Sequence, residues 1–138
     1  MSLGDYLRYL RALHGGMDTW TIARAIGLEH PYPINEIEQR YRAVGDDDLL
    51  AKLATYYDVP VEDLRWRRER SRKAFTIFAD EAMRTGQTVR LHLRMGDTLE
   101  GRITWWDLGA VGLQRTGDGE IIVVQRHAVD EWESAAGN

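Results

Sequence analysis

The hydrophobic period of the chain changes once, at Gly86, and this change limits the folds that are open to it. Before Gly86 apolar residues recur at spacings of three and four, as they do between Leu3 and Leu13, and this spacing predicts amphipathic helices. From Gln87 apolar and polar residues alternate, beginning with Val89 to Leu93, and alternation predicts strands. Helices grouped first and strands grouped second favour a two-domain α+β chain over an interleaved α/β sandwich.

Composition excludes several classes of protein. The chain has 138 residues, 43% of them hydrophobic, which suffices for one domain or two very small ones with packed cores. It has no cysteine, so disulfides and thiolate chemistry are excluded. The four histidines lack metal-ligand spacing, and no paired acid–base system or phosphate loop stands out, so we expect no enzyme, metal or cofactor. No stretch approaches the ~20 apolar residues of a membrane span. A cytoplasmic location without membrane contact is expected.

Charge is distributed unevenly along the chain, although the net charge is only −4. Residues 1–64 carry six basic and eleven acidic side chains. Residues 65–73 carry six basic and one acidic side chain, and residues 74–138 carry six basic and ten acidic side chains. The acidic total argues mildly against non-specific coating of nucleic acid. The basic segment 65–73 has two interpretations. It is either a run that contacts phosphates, with Arg65 and Arg68 taking part, or a solvated helical linker.

Residues 1–64 are expected to form four or five short helices. Gly15-Gly16, Gly27, Gly45 and Pro60 separate the apolar-periodic stretches from one another. Asp18 or Thr19 suits a helix N-cap, and the aspartates at 46–48 suit the positive end of a helix dipole better than they suit a cation site. Residues 65–85 can be helical throughout.

Small and apolar residues occupy a characteristic series of positions along these predicted helices. They are Leu3-Gly4-Asp5-Tyr6-Leu7-Arg8, Ile22-Ala23, Ile26-Gly27, Ile34, Ile37-Glu38, Leu49, Leu53-Ala54 and 59–64. Together they resemble the Cro/C1-type helix-turn-helix family over about residues 2–64. The resemblance implies an all-α bundle whose recognition helix, around residues 34–42, lies in the major groove of DNA. It implies that Asn35 reads a base edge and that Arg40 and Arg42 reach the backbone, with Arg65 and Arg68 assisting.

The chain departs from the pattern of that family at the positions that would touch DNA. Trp20 stands where a phosphate-contacting glutamine is common, and residues 29–33 form an unusual stretch, Glu-His-Pro-Tyr-Pro. The recognition helix opens with Glu36 and Glu38, and carboxylates repel phosphates. Two alternatives therefore stay open for this part of the chain, DNA reading and contact with another protein.

The strand-rich part carries a second set of matching positions. They are Phe78, Gly96, Gly101, Asp107 and the run Arg126-His127-Ala128-Val129, which follows the apolar strand 121–125. These residues resemble the Sm-like family, most closely its Hfq members, over about residues 75–133. The resemblance implies a five-stranded, bent antiparallel β-barrel preceded by a helix. It also implies a homo-oligomeric ring, with a hexamer favoured, in which the fourth strand of one copy pairs with the fifth strand of the next.

Local features of the strands agree with a small barrel. Glycines at 101, 109 and 112 allow the bends that such a barrel needs. Adjacent strand residues point to opposite faces, so of Trp105 and Trp106 one belongs to the core. The resemblance assigns the core position to Trp106.

The same resemblance supplies candidate RNA contacts. Arg126 and His127 stand where the family lines its pore and binds uridine-rich ends, although Gly109 replaces the stacking aromatic of that pocket. His92 matches the position that stacks adenines on the opposite face, and Arg84 remains from the arginines of the lateral rim. These surfaces are depleted relative to the family. The sequence therefore favours an oligomerisation module with residual RNA binding.

The sequence predicts a helix-turn-helix domain at 1–64, a basic helical linker at 65–74, an Sm-like domain at 75–133 and a tail at 134–138. The favoured function is a transcriptional regulator that displays DNA-binding heads on a ring. The alternatives are an Hfq-like RNA-binding riboregulator and a ring scaffold whose heads bind protein. DNA is thus the first expected partner and RNA the second.

Overall fold

The computed structural model describes residues 1–41 and 43–135, and within this range six helices precede five strands. The chain divides into two compact units. The helical unit is Ser2–Lys73, and the sheet unit begins at Ala74 and also includes Met1. The helices are α1 Leu3–Leu13, α2 Thr19–Ala25, α3 Tyr32–Gln39, α4 Asp47–Tyr57, α5 Val61–Arg68 and α6 Arg72–Thr85. The strands are β1 Thr88–Leu93, β2 Thr98–Trp106, β3 Ala110–Arg115, β4 Ile121–Gln125 and β5 Val129–Ser134.

Aspartate side chains cap two helices of the helical unit. Asp18 accepts a hydrogen bond from the Thr21 amide at 2.9 Å, and Asp46 accepts one from the Leu49 amide at 2.8 Å. Each bond satisfies an amide that the first helical turn leaves unpaired. The acidic run 46–48 therefore begins with a helix cap.

The helical unit has its own hydrophobic core. Leu13, which the apolar spacing placed near the inner face of α1, is instead 62% exposed, because it lies in the last turn of that helix. The largest fully buried side chains come from five helices: Leu7, Ile22, Ile34, Leu50, Leu53 and Leu64.

The segment 65–74, predicted as one helical linker, is interrupted. The α5 helix ends at Arg68 and α6 begins at Arg72, with a turn between them. The Lys73 amide donates to the Tyr41 carbonyl at 3.0 Å, so this donor of the first turn of α6 is used outside the helix. Most of the segment thus belongs to the compact helical unit.

The sheet is open, so the predicted five-stranded β-barrel is not closed within one chain. Its strand order is β4-β3-β2-β1-β5, with every neighbouring pair antiparallel. The two edges are β4 and β5. They are separated by a single 3-10 turn, Arg126–Ala128, which turns the chain away from β4 and toward β1. Within the described residues of one chain, β4 and β5 therefore do not pair with each other.

The fifth strand is longer than the sequence indicates. It continues through Ser134, and the Ala135 amide donates to the Thr88 carbonyl at 2.9 Å. The predicted tail 134–138 thus begins in ordered strand, and residues 136–138 lie outside the described residues.

One face of the sheet packs against α6. Phe75 and Ala79 of that helix are buried among strand residues such as Val89 and Leu91. The Phe75 ring meets the Trp132 ring edge to face, with centroids 4.9 Å apart. This aromatic contact joins the helix to the edge strand β5.

The strand glycines are needed for close packing. Gly101 and Gly112 have ordinary φ angles, but a Cβ at Gly101 would overlap the Gln114 carbonyl and one at Gly112 would overlap the Trp105 indole. Trp105 is 38% exposed and covers Gly112, whereas Trp106 packs against the core as expected.

Candidate nucleic-acid interface

The turn between the two edge strands is built around Arg126. Its side chain is 8% exposed, and its guanidinium donates to the Asp107 carbonyl at 2.7 Å and to the Thr76 hydroxyl at 2.7 Å. Its backbone amide donates to the Gly109 carbonyl at 2.9 Å, and its guanidinium carbon lies 5.1 Å from the Phe75 ring centroid. Arg126 therefore joins α6, the β2–β3 loop and the 3-10 turn.

This placement changes the role expected of Arg126. The sequence predicted a positive charge that faces RNA, but the guanidinium is buried and bonded within the chain. Burying a guanidinium is tolerated here because its donors have acceptors. Arg126 fixes the turn, and the neighbouring His127 is the exposed member of the predicted pair.

The loop beside His127 is held by Asp107. The carboxylate accepts hydrogen bonds from the amides of Gly109 and Ala110, each at 2.8 Å. These two bonds lower the pKa of Asp107. Gly109, which replaces the aromatic expected in this pocket, is exposed and carries no side chain on which a base could stack.

His92 lies within a polar row that crosses three strands. Its Nε2 is 2.9 Å from a Glu133 carboxylate oxygen of β5, and its Nδ1 is 3.1 Å from the Thr98 hydroxyl of β2. Arg90 bonds Glu100 at 3.0 Å and lies 3.8 Å from Glu133. The bond to His92 is the largest cause of the lowered pKa of Glu133. The imidazole is thus part of a network and is about one-third exposed.

Arg84 is one of two predicted RNA contacts that are exposed, together with His127. Its side chain is 70% exposed and pairs with Asp80 one helical turn earlier at 3.1 Å. Asp80 also accepts a hydrogen bond from the Trp106 indole at 3.2 Å. Pairs of this kind on a helix surface are weak, so Arg84 remains able to exchange its partner for a phosphate.

The predicted DNA contacts of α3 have unequal surroundings. Asn35 is half-buried near the N-terminal end of the helix. Arg40 is 60% exposed and pairs with Glu36 at 3.3 Å. Arg42 lies outside the described residues. The Glu36 carboxylate, which was expected to repel DNA, therefore forms an ion pair with Arg40.

Arg65 and Arg68 are paired within the helical unit. The Arg65 guanidinium donates to Glu62 at 2.6 Å, and the Arg68 guanidinium donates to the Gly45 carbonyl at 3.0 Å and to Asp47 at 2.9 Å. The Arg68 bonds fasten α5 to the start of α4. Both arginines are thus used within the folded unit, a role that differs from both interpretations of the basic run, phosphate contact and a solvated linker.

Other arginines of the basic run have local partners as well. Arg72 bonds Asp5 at 2.6 Å, and the guanidinium of Arg67 lies 4.0 Å from the Tyr6 ring centroid. Arg70 lies 4.1 Å from the Trp66 ring centroid. The charge that stands out in the sequence is therefore largely engaged within the folded unit.

An open groove in the helical unit was missed by the sequence analysis. It is lined by Trp20, His30, Pro31, Tyr32, Asn35 and Gln39. Trp20 and the stretch 29–33 were noted only as departures from a DNA-binding pattern. The signal that could have revealed the groove is the density of aromatic and amide side chains around the start of α3.

Neither a metal-ligand cluster nor a membrane-spanning helix occurs among the described residues. Within residues 1–41 and 43–135, no group of three or more His, Asp or Glu side chains could hold a metal ion. In the same range no helix has the length and apolar character to cross a membrane.

Known proteins resemble the sheet unit. Residues 80–130 match the family described as Hfq related. The matched region extends from α6 into β5 and is the part of this chain that is similar to that family. The chain is also similar to the crystal structure of the pleiotropic translational regulator Hfq. The two sequences are 17% identical, the alignment covers 43% of this chain and 95% of that chain, and the TM-score is 0.40. No curated protein matches the chain. The family match does not reach the helical unit, where the helix-turn-helix resemblance stays a prediction.

Proposed function

We propose that the chain is an RNA-binding regulator that works as a homo-oligomeric ring. The observation that carries this proposal is the match of residues 80–130 to the Hfq-related family. The alternative drawn from the sequence thus replaces the favoured one, because the matched region holds the RNA candidates and none of the DNA candidates.

The open sheet supports the oligomer. Unpaired strand edges attract other strands, and natural proteins rarely leave two of them uncovered. Here β4 and β5 are both edges, and β4 exposes Ile121 at 58% and Val123 at 62%. Pairing of β4 with β5 of the next copy would satisfy both edges and cover these side chains. Repetition of that contact closes a ring, which by the family resemblance has six copies.

His127 is the residue to which we assign the principal RNA contact. It is exposed in the turn between the two edges, and Arg126 holds that turn in place. A ring would bring one His127 from each copy to a shared centre. Several weak contacts to one RNA then act together, so the affinity exceeds that of a single site. His92 and Arg84 are assigned secondary contacts on other surfaces.

Mass and binding measurements test both parts of the proposal. Light scattering on the full chain should give several times 15.9 kDa, with six copies expected from the family resemblance. Fluorescence anisotropy should show salt-sensitive binding of oligo-U or oligo-A. His127→Ala should weaken oligo-U binding about tenfold, while His92→Ala should act on oligo-A instead. A 15.9 kDa species that binds neither RNA would overturn the proposal.

A transcriptional regulator with DNA-binding heads is the second candidate. Asn35 near the start of α3 and the exposed Arg40 are the observations that favour it. Arg65 and Arg68, which were expected to assist, are engaged in internal pairs. Residues 1–73 also carry twelve basic and twelve acidic side chains, whereas duplex binding generally draws on excess positive charge. A duplex arm in the anisotropy assay tests it, and Arg40→Gln should weaken any duplex binding.

A further inference from the structure

Two aromatic side chains of the helical unit are exposed at the same groove. Trp20 is 52% exposed and Tyr32 is 74% exposed, and neither belongs to the core cluster of that unit. Tyr57, by contrast, is 3% exposed, and Tyr6 and Tyr9 are partly buried against the core and stack on each other. The exposed pair therefore contributes little to folding and leaves flat apolar surface in water.

The groove also contains two amide side chains, those of Asn35 and Gln39. Tyr32, Asn35 and Gln39 recur at spacings of three and four, so they follow one face of α3. In the described ranges neither amide side chain has a hydrogen-bond partner within the chain. An amide carries both donors and an acceptor, as does the edge of a nucleobase. Aromatic faces beside free amides are the two elements with which proteins hold unpaired bases.

His30 closes one side of the groove. Its ring meets the Tyr32 ring edge to face, with centroids 5.6 Å apart, and its Nδ1 accepts from the Tyr32 amide at 3.4 Å. These contacts restrict the Tyr32 side chain. A restricted ring loses less conformational entropy when a base stacks on it.

Charges at the rim favour a single strand over a duplex. Arg24 follows Trp20 by one helical turn, is exposed, and has no ion pair in the described part of the chain. It can reach one phosphate. Glu29 and Glu36 are exposed next in sequence to the groove residues His30 and Asn35, and Arg40 pairs with Glu36. Such a mixed rim suits a short contact dominated by stacking, whereas two phosphate backbones would meet the carboxylates.

We propose that this groove binds one or two unpaired bases of single-stranded RNA, with Trp20 and Tyr32 stacking and Asn35 and Gln39 contacting base edges. The inference rests on the proposed function and extends it, because it adds an RNA site outside the Hfq-like region. The helical unit then takes part in RNA selection.

Paired variants of the full chain test the inference. Trp20→Ala and Tyr32→Ala should each weaken binding of a labelled 12-nucleotide single-stranded RNA about tenfold in anisotropy. Trp66→Ala is the matched control, since Trp66 is 38% exposed, lies outside the groove and should leave affinity unchanged. Light scattering should give one mass for all variants, because the replaced rings lie outside the core.

A cross-linking arm locates the RNA directly. The same RNA carrying 4-thiouridine should cross-link to a peptide that contains Trp20 or Tyr32. If RNA binds and His127→Ala weakens it while the groove variants and cross-links show no effect, the groove inference is wrong and the proposed function stands. If no variant matters because RNA does not bind, both are wrong. Preference for duplex DNA, with loss in Trp20→Ala, would also overturn the inference in favour of a DNA head.

Discussion

The hydrogen-bond acceptors near each arginine decide whether it stabilises the fold or keeps its charge at the surface. Arg126 and Arg68 read as free charge in the sequence, yet each donates to a backbone carbonyl and to a side chain of its own unit. Arg24 and Arg84 keep their charge at the surface. The difference depends on which carbonyls lie within reach, and sequence alone does not give those distances.

Arg11 and Glu38 form the most buried ion pair of the helical unit. They share hydrogen bonds of 2.6 and 3.2 Å, and the Glu38 side chain is 5% exposed. Glu38 also raises the pKa of Arg11. We expect Arg11→Met to lower the free energy of unfolding by about 3 kcal/mol, because it leaves a buried carboxylate unpaired. Urea unfolding followed by circular dichroism measures this.

The exposed pair Glu36–Arg40 is the control for that prediction. Arg40→Gln should change the stability by less than about 0.5 kcal/mol, because water already solvates both charges. Equal losses in the free energy of unfolding from Arg11→Met and Arg40→Gln would show that burial does not determine how much each ion pair stabilises the unit.

The stability of the helical unit should also depend on pH through Asp5. Burial by itself raises the pKa of this carboxyl, but the hydrogen bond and charge of Arg72 outweigh it, so the pKa lies below its ordinary value of 3.8. A depressed folded pKa means that the stabilisation is present above pH 3.8 and is lost as the pH falls through the folded pKa. Thermal unfolding between pH 2.5 and 6 should show this loss, and Arg72→Gln should reduce it. An unchanged acid limb in that variant would contradict the assignment.

At the scale of elements, periodicity predicted most of the structure. The change at Gly86 separates helices from strands, and the glycines and aspartates mark helix ends close to where they lie. The break between Arg68 and Arg72 could not be predicted, because an uninterrupted helical pattern does not show that Lys73 donates to Tyr41. The same limit applies to the candidate site. His127 is exposed, but the bond from Arg126 to Thr76, a residue 50 positions away, buries the arginine, and sequence alone does not show that contact.

The turn between β4 and β5 should depend on Arg126 for its stability. Arg126→Met keeps the aliphatic part of the side chain but removes its bonds to Asp107 and Thr76. We expect a loss of about 2–3 kcal/mol in the free energy of unfolding, since two part-buried hydrogen bonds from a charged donor are lost. His127→Ala, one residue further, should cost less than about 0.5 kcal/mol because its side chain is exposed. The opposite order of effects in urea unfolding would show that Arg126 does not hold the turn.

At the scale of the whole molecule, the proposed assembly depends on a strand edge that one chain cannot satisfy. Within the described residues β4 and β5 each pair with one strand and form the two edges of the sheet, and Val123 on β4 is 62% exposed although it is apolar. These features are typical of a contact between copies, because an isolated chain would gain nothing from leaving them open. Oligomerisation and RNA binding are therefore expected to be lost together when the edge is disrupted.

Val123→Asp tests that link. A carboxylate in the proposed strand pairing would be desolvated, so light scattering should give the 15.9 kDa chain in place of the ring. RNA affinity should fall at least about tenfold, because His127 then acts once per molecule. Leu13→Asp is the control, since Leu13 is 62% exposed at the end of α1, in the helical unit, and should leave mass and affinity unchanged. A Val123→Asp protein that keeps the mass of the ring would place the contact between copies elsewhere. A monomer that keeps full RNA affinity would instead separate RNA binding from assembly.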